Sequence, residues 1–204
     1  MKIGYQSPLT IILPQVHKVE EQICALVMPL LDSLLARQLA NITHAISSLP
    51  FNPAVVPCLE ALVAAAQPLL PSFKPQELAN MAWALAKLDH NNTGFLDALV
   101  AAALQQMPSF NAEALSNTAW ALGKLGHNRP AFMGALMAAS QPQLTSFSGQ
   151  ELSNLAWALS KLGTSISASF RDALVAAARM VLPAVDAEAL ATMVWELAPQ
   201  STAG

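Results

Sequence analysis

The sequence has little charge, few cysteines and none of the short motifs that mark common active sites. Charged residues make up 11% of its 204 residues, and ten Lys and Arg face thirteen Asp and Glu, for a net charge of −3. That balance excludes the broad basic surface of a non-specific nucleic-acid binder, so any nucleic-acid contact must be local. Cys24 and Cys58 are too few for a disulfide framework, and their apolar helical surroundings predict buried free thiols.

Sequence signatures of catalysis are missing as well. The chain contains no glycine-rich phosphate loop, paired CxxC, HExxH or GxSxG string. Its acidic residues are scattered, and those near predicted helix starts, such as Glu77 and Glu113, are explained as helix N-terminal charges. The loop histidines His90 and His127 are 37 residues apart and lack the set of carboxylate or Cys partners that a metal site needs. We therefore expect no catalytic residues, no metal site and no cofactor.

Hydrophobic residues are abundant, at 54%, but their long runs are interrupted. The stretch from Ala54 to Leu70 contains Pro57, Glu60 and Pro68, each of which is costly at the centre of a bilayer. We expect a soluble protein with no membrane partner. The first sixteen residues carry one Lys and no Arg, so they resemble neither a secretory signal nor a typical organelle transit peptide.

A repeated string organises the chain. It reads LANMAWALAKL from Leu78, and the near copies LSNTAWALGKL and LSNLAWALSKL begin at Leu115 and Leu152, each 37 residues further on. Weaker copies lie at Gln38–Leu49, with His44 in the Trp place, and at Ala189–Leu197, and a second Ala- and Leu-rich element recurs between the copies. Each unit is thus two helices, here called A and B, which must stack on neighbouring units to bury their apolar faces. The sequence predicts an all-α fold, an α-solenoid of about five helix–turn–helix repeats of about 37 residues.

The period also divides the chain into units. We predict an N-terminal tail without a clear targeting signal at 1–16, a divergent first repeat at 17–50, complete repeats at 51–88, 89–125 and 126–162, a last incomplete repeat at 163–198 and a C-terminal tail at 199–204. Asn111 and Ser148 precede B helices as caps, and Gly126 and Gly163 close them. Because the last unit ends soon after Trp195 without a polar cap, we expect further repeats or a protein partner to complete the array there.

Three positions on one side of helix B recur from unit to unit. At about 100° per residue, Asn, Trp and Lys of each string share that side, and stacking turns each position into a column. The Asn column holds Asn80, Asn117 and Asn154, the Lys column holds Lys87, Lys124 and Lys161, and the Trp column holds Trp83, Trp120, Trp157 and Trp195. The Trp rings are predicted to pack between repeats, and the alternative is that they line a groove and stack on RNA bases.

Two interpretations of the polar columns remain open. The Asn amides either form a structural ladder that satisfies backbone groups between repeats, or they line a groove and contact the edges of RNA bases. The Lys side chains are either solvated surface or contacts to phosphates. On the second interpretation the RNA-binding residues are those of the Asn and Lys columns.

The three near-identical strings closely resemble octotricopeptide repeats, which occur in green-algal organelle RNA-binding proteins. In looser form they are similar to the leucine-rich helical regions of FAST-kinase-like and RAP-domain proteins. The resemblance covers about Val55 to Leu197. It implies binding of single-stranded RNA in the chloroplast or mitochondrion, in RNA processing, mRNA stability or translation activation, including the algal chloroplast translation-factor type.

A competing resemblance is to armadillo repeats, whose Trp and Asn ladders bind extended peptides. Their WALSN string is echoed by Trp157 to Ser160, but here Asn precedes Trp by three residues instead of following it by four. The armadillo unit is also longer, with three helices. A scaffold that binds proteins or peptides is therefore the alternative function.

Overall fold

The protein is a row of paired helices. A computed structural model describes residues 18–19, 21–50 and 52–181, and within these ranges it contains helices and no strand. The α-helices are α1 (Ala36–Ser47), α2 (Val56–Ala66), α3 (Pro75–Lys87), α4 (Thr93–Gln106), α5 (Ala112–Leu125), α6 (Pro130–Ser140), α7 (Gly149–Lys161) and α8 (Ala168–Val181). Short 3₁₀-helices lie at Met28–Ser33, Pro53–Val55, Gln67–Ser72, Met107–Ser109 and Gln141–Ser146. The predicted all-α repeat fold is confirmed.

The two helices of each unit occupy two layers. Helices α1, α3, α5 and α7 are B helices, and each of the first three packs along much of its length against the next one. Helices α2, α4, α6 and α8 are A helices, which contact one another far less. Small residues permit the close B-layer packing: a Cβ added at Gly123 would lie 3.1 Å from the Cα of Ala158 in the next B helix. The predicted N-terminal tail, C-terminal tail and last B helix with Trp195 lie outside the described residues.

The helix ends follow the predicted caps. Asn111 accepts a hydrogen bond from the backbone N–H of Ala114 at 2.8 Å, and the carboxylate of Glu151 accepts one from the N–H of Ser148 at 2.6 Å. Gly126 and Gly163, just beyond two B helices, have φ values of 65° and 61°. The matching residue of the preceding unit is Asp89, with φ of 51°. A left-handed residue therefore ends three successive B helices, and in one of them it is not glycine.

Phenylalanines fill the space between the layers at the same period as the repeat. Phe95 and Phe132 lie in the A helices and are fully buried, and each stands one unit from its counterpart. A second set in the loops between A and B helices is also buried: Phe73, Phe110 and Phe147. Full burial of a phenylalanine contributes about 1.5–3 kcal/mol. The interior of the array is thus a repeated aromatic and aliphatic core that runs from unit to unit.

Side-chain amides in the loops and at helix ends join successive B helices and neighbouring units. Asn91 donates to the carbonyl of Leu125 at 3.2 Å, and Asn128 repeats the contact one unit later with the carbonyl of Leu162 at 2.8 Å. These carbonyls belong to the ends of B helices, where no further turn exists to accept them. On the opposite edge Gln106 and Gln143 donate to carbonyls of the preceding unit, at 2.8 and 3.1 Å. Inter-repeat backbone groups are therefore satisfied from the loops.

One segment of the described residues passes a length and composition test for a membrane span. It is Pro53–Ser72, with 20 residues and a mean hydropathy of 1.5. A core helix of a soluble protein passes the same test. In the structure α2, at the centre of this segment, occupies the A-helix position, with Leu59 and Leu62 buried and Glu60 exposed. It is buried on one face and exposed on the other, as are the A helices that follow.

The two cysteines lie together in the first part of the array. Cys24 and Cys58 are buried free thiols, as the sequence predicts. Burial, with a smaller effect of neighbouring Cys24, raises the pKa of Cys58 to about 12. Since the thiolate is the reactive form, Cys58 is a poor nucleophile at neutral pH.

Candidate ligand-binding groove

The tryptophans of successive B helices form a continuous aromatic row. The ring centroids of Trp83 and Trp120 are 6.3 Å apart, and those of Trp120 and Trp157 are also 6.3 Å apart, with the planes tilted by 36° and 34°. In the first unit His44 takes the Trp place, with its ring 4.9 Å from Trp83. These separations are within the range of favourable aromatic pairs. Each ring is half-buried, so one side packs between helices and the other reaches the surface.

The lysines lie one helical turn further along, beside the aromatic row. The ammonium of Lys87 is 5.2 Å from the centre of the Trp83 ring, and that of Lys124 is 5.9 Å from the Trp120 ring, both in the range of cation–π attraction. Lys124 also pairs with the exposed carboxylate of Asp89 at 3.1 Å. Lys161 occupies the matching position in α7 and is exposed. The column thus presents positive charge along one border of the row.

The asparagines lie on the other side of the rings, and their partners come from their own helices. Asn80 accepts a hydrogen bond from the amide of Gln76 at 3.1 Å, and Asn154 accepts one from Gln150 at 3.0 Å. Within the described residues neither these amides nor that of Asn117 bonds to the backbone of another unit. The loop asparagines, Asn91 among them, instead join the loop after one B helix to a carbonyl at the end of the next B helix. The donor N–H groups of the Asn column remain available to a ligand.

The three columns border one open groove across the B layer. It has a volume of about 630 Å³ and spans four units. Its lining consists of three aromatic rings, the three amides of the Asn column, one lysine of the Lys column and three further polar side chains: His44, Gln76, Asn80, Trp83, Lys87, Glu113, Asn117, Trp120, Gln150 and Asn154. Lys124, Lys161 and Trp157 belong to the same columns but are not part of this lining. Ring faces, amide donors and ammonium groups therefore meet on one surface.

Besides His44, which takes the Trp place, three lining residues were not predicted as site residues. Gln76, Glu113 and Gln150 stand four positions before the Asn of their units, one turn back on the same face. The recurrence of a long polar side chain at this spacing was the available signal. The sequence explains Glu113 as a first-turn acid, and it does lie in the first turn of α5. Glu77 and Glu151, one position later in the register, lie at helix starts, where they accept backbone N–H groups.

A separate polar cluster lies in a loop away from the groove. His127 is buried and its ring meets the carboxylate of Asp97 at 3.0 Å, while Arg129 donates to the same carboxylate at 2.7 Å. Burial, assisted by the Arg129 charge, lowers the pKa of His127 although Asp97 opposes the change. The hydrogen bond from Arg129 is the largest cause that lowers the pKa of Asp97. Among the described residues no three His, Cys, Asp or Glu side chains converge as a metal site would require.

Residues 52–199 match a protein-family model described as Tbc2 translation factor, N-terminal domain. The match covers nearly three quarters of the chain and all three complete repeats. A comparison with individual curated proteins returned no match. The description of the family supports a role in translation or RNA-related regulation.

Proposed function

We propose that the chain, which belongs to the family of the Tbc2 translation factor N-terminal domain, binds single-stranded RNA along the groove of the B helices. Through that contact it would act on organellar transcripts, in the chloroplast or mitochondrion, in processing, stability or translation activation. The resemblance to octotricopeptide repeats supports the organellar RNA target. We propose binding as its activity, without catalysis and without a cofactor.

The proposal rests on one observation. Three kinds of side chain that can contact RNA lie on one surface and recur there with the period of the repeat. Half-buried rings recur every 6.3 Å along the row. Amide donors border the rings on one side and ammonium groups border them on the other. Specific RNA recognition combines stacking on aromatic faces, hydrogen bonds to base edges and contacts to phosphates. Each of these contacts has a matching column.

The geometry favours a single strand over a duplex. Proteins read RNA sequence mostly in single-stranded segments, because side chains cannot read the deep, narrow major groove of an RNA helix. A single strand can present its unstacked bases to the amides while its backbone follows the lysines. The 6.3 Å interval exceeds the rise of about 3.4 Å per nucleotide of a stacked strand. A strand that follows the row is therefore partly unstacked.

The alternative is an extended peptide in the same groove. Amide side chains and tryptophans on stacked helices can also hydrogen-bond a peptide backbone and pack on its side chains. Glu113 and the net charge of −3 are compatible with a peptide ligand. The lysine border favours RNA, because an uncharged peptide backbone gains little from a row of ammonium groups.

The test is binding of a randomised single-stranded RNA pool to the purified chain at several salt concentrations. The groove variant K87A/K124A/K161A is compared with K74A/R171A/R179A, which removes the same charge from exposed positions outside the groove. For a single strand, each phosphate contact contributes about −0.7 to the slope of log K against log salt. We expect the groove variant to reduce the steepness of that slope by up to about 2, and the control variant to change it much less.

Two results would contradict the proposal. In the first, wild-type protein enriches no sequence from the pool. In the second, the two triple variants lose the same affinity, so that only net charge matters. Recovery of one extended peptide partner that survives nuclease treatment, with no enriched RNA, would establish the alternative.

A further inference from the structure

The groove contains one position at which its three complete units differ in chemistry. Gln76 and Gln150 flank Glu113 in space, and all three occupy the same place in their helices, one turn before the Asn column. The flanking units therefore present a Gln–Asn pair to the groove, and the central unit presents the pair of Glu113 and Asn117. The rest of the lining repeats from unit to unit, so a different side chain at this one position indicates that the central unit contacts a different part of the ligand.

The hydrogen-bonding capacity of the two kinds of pair is different. In the flanking units the glutamine amide donates to its asparagine, at 3.1 Å and 3.0 Å, so the glutamine oxygen and the asparagine N–H groups remain for a ligand. Each flanking pair thus offers both a donor and an acceptor. The Glu113 carboxylate has only acceptors, and within the described part of the chain no hydrogen bond or ion pair engages it. It is also exposed on the groove surface.

An exposed carboxylate in a groove for RNA restricts the group that can lie beside it. A phosphate is excluded by like-charge repulsion. A base edge that carries only acceptors is excluded because both partners would lack a proton. The two oxygens of a carboxylate accept best from two neighbouring N–H donors, in the same bidentate manner in which they accept from a guanidinium. Among the four bases only guanine carries two adjacent donors on one edge, N1–H and the N2 amino group.

We infer that the central unit recognises guanine, with the Glu113 carboxylate accepting from N1–H and the N2 amino group of its Watson–Crick edge. This inference rests on the proposed RNA-binding function. Adenine and cytosine place an acceptor beside their amino group, and uracil places its single N–H between two carbonyls, so each opposes at least one carboxylate oxygen with an acceptor. A good bidentate contact to a base discriminates by about 5- to 150-fold. Asn117, four residues on, adds a donor next to the guanine O6.

The experiment compares RNA motifs enriched from a randomised single-stranded pool by wild type, E113Q and Q150E. Wild type is expected to enrich a motif with one fixed guanine. E113Q makes the three units alike, so the guanine preference should fall at least fivefold and that position should take on the preference of its neighbours. Q150E should add a second fixed guanine at a constant offset from the first. Glu60, exposed on α2 outside the groove, supplies the charge-matched control E60Q, which should leave the motif unchanged.

The outcomes separate this inference from the proposed function. If wild type binds no RNA, both fail. If wild type enriches a motif that E113Q leaves unchanged, or binds RNA without any motif, RNA binding stands and guanine recognition is overturned. A uniform rise in affinity for all RNAs in both E113Q and E60Q, without a change in motif, would also overturn it, because the carboxylate would then act only through net charge.

Discussion

Two asparagines, one in α5 and one in the loop after it, allow the structural and ligand-binding roles of the amide to be separated. Asn128, in the loop after α5, donates to the Leu162 carbonyl at the end of the next B helix, at 2.8 Å. Asn117, in the middle of α5, has no hydrogen bond to another unit within the described residues and lines the groove. The substitutions N128A and N117A remove the same side chain from these two environments.

From the structure we expect the two substitutions to change the free energy of unfolding in opposite directions. N128A removes a hydrogen bond between the loop after α5 and the end of α7 and leaves a helix-end carbonyl without its partner, which costs about 0.5–1.5 kcal/mol. N117A removes no such bond and replaces a poor helix former by alanine, which stabilises a helix interior by up to about 0.7 kcal/mol. The free energies of unfolding of the two variants should therefore differ by about 1–2 kcal/mol. The effects on RNA affinity should be the reverse: N117A should lose affinity, and N128A should change it little.

Urea unfolding followed by circular dichroism measures the first quantity, with the denaturant slope checked for equality between variants. Titration with the RNA enriched by the wild-type protein measures the second. If N117A destabilises the protein as much as N128A does, the Asn column is a structural ladder and its assignment to the groove is wrong. If N128A abolishes RNA binding while it remains folded, the contact surface extends to the loops.

The remaining predictions concern close packing and pH. G134A adds a Cβ where no atom lies within 4 Å and should stabilise α6 by about 0.5–1 kcal/mol, whereas G123A meets the Trp157 ring at 3.0 Å and the Ala158 backbone at 3.1 Å. Overpacking costs about 1–3 kcal/mol, so G123A should be the less stable by at least about 1 kcal/mol in urea unfolding; equal stabilities would refute the close contact. Because the pKa of His127 is lowered from its ordinary value of 6.5, the unfolded state binds its proton first as pH falls. Stability should thus decrease below pH 6.5 until the folded-state pKa is passed, and H127Q should lack this component; an unchanged pH profile in H127Q would assign it to other groups.

The fold was predictable because the same helix pattern occurs several times in the sequence. A 37-residue period, cap residues before the B helices and glycines after them specify paired helices that stack. Gly126 and Gly163 are left-handed as predicted, since helix ends favour that conformation at glycine. The left-handed conformation of Asp89 was not predicted, because an aspartate at a helix end does not signal it as a glycine does. Asp89 occupies the same position in its unit as Gly126 and Gly163 occupy in theirs. The arrangement of the helices into two layers also depends on contacts between units, and the sequence of one unit alone does not specify these contacts.

The candidate site was predictable in position but not in its bonding. Helical geometry places Asn80, Trp83 and Lys87 on one side, and the structure finds these positions side by side in successive units. The same geometry places Gln76 on that side, four residues before Asn80, so the fourth column could have been found from the sequence. The ladder of Asn91 and its counterparts could not, because it joins a loop to the end of a helix 34 residues further on. Asn91 and Asn128 stand one period apart, but the period does not show which carbonyl each amide reaches, because that depends on the loop geometry.

The side chains that line the groove are different from those that hold the helices together. This separation determines which substitutions the array can accept. Buried phenylalanines, small residues between B helices and loop amides hold the units together. The side chains at 76, 113 and 150, and the asparagines one turn later, contribute no bond between units within the described residues. Substitution there alters the donors and acceptors presented to a ligand at a small cost in stability. A unit can therefore change what it recognises while its neighbours keep their spacing, and the contrast between Glu113 and its flanking glutamines is a difference that the fold permits without strain.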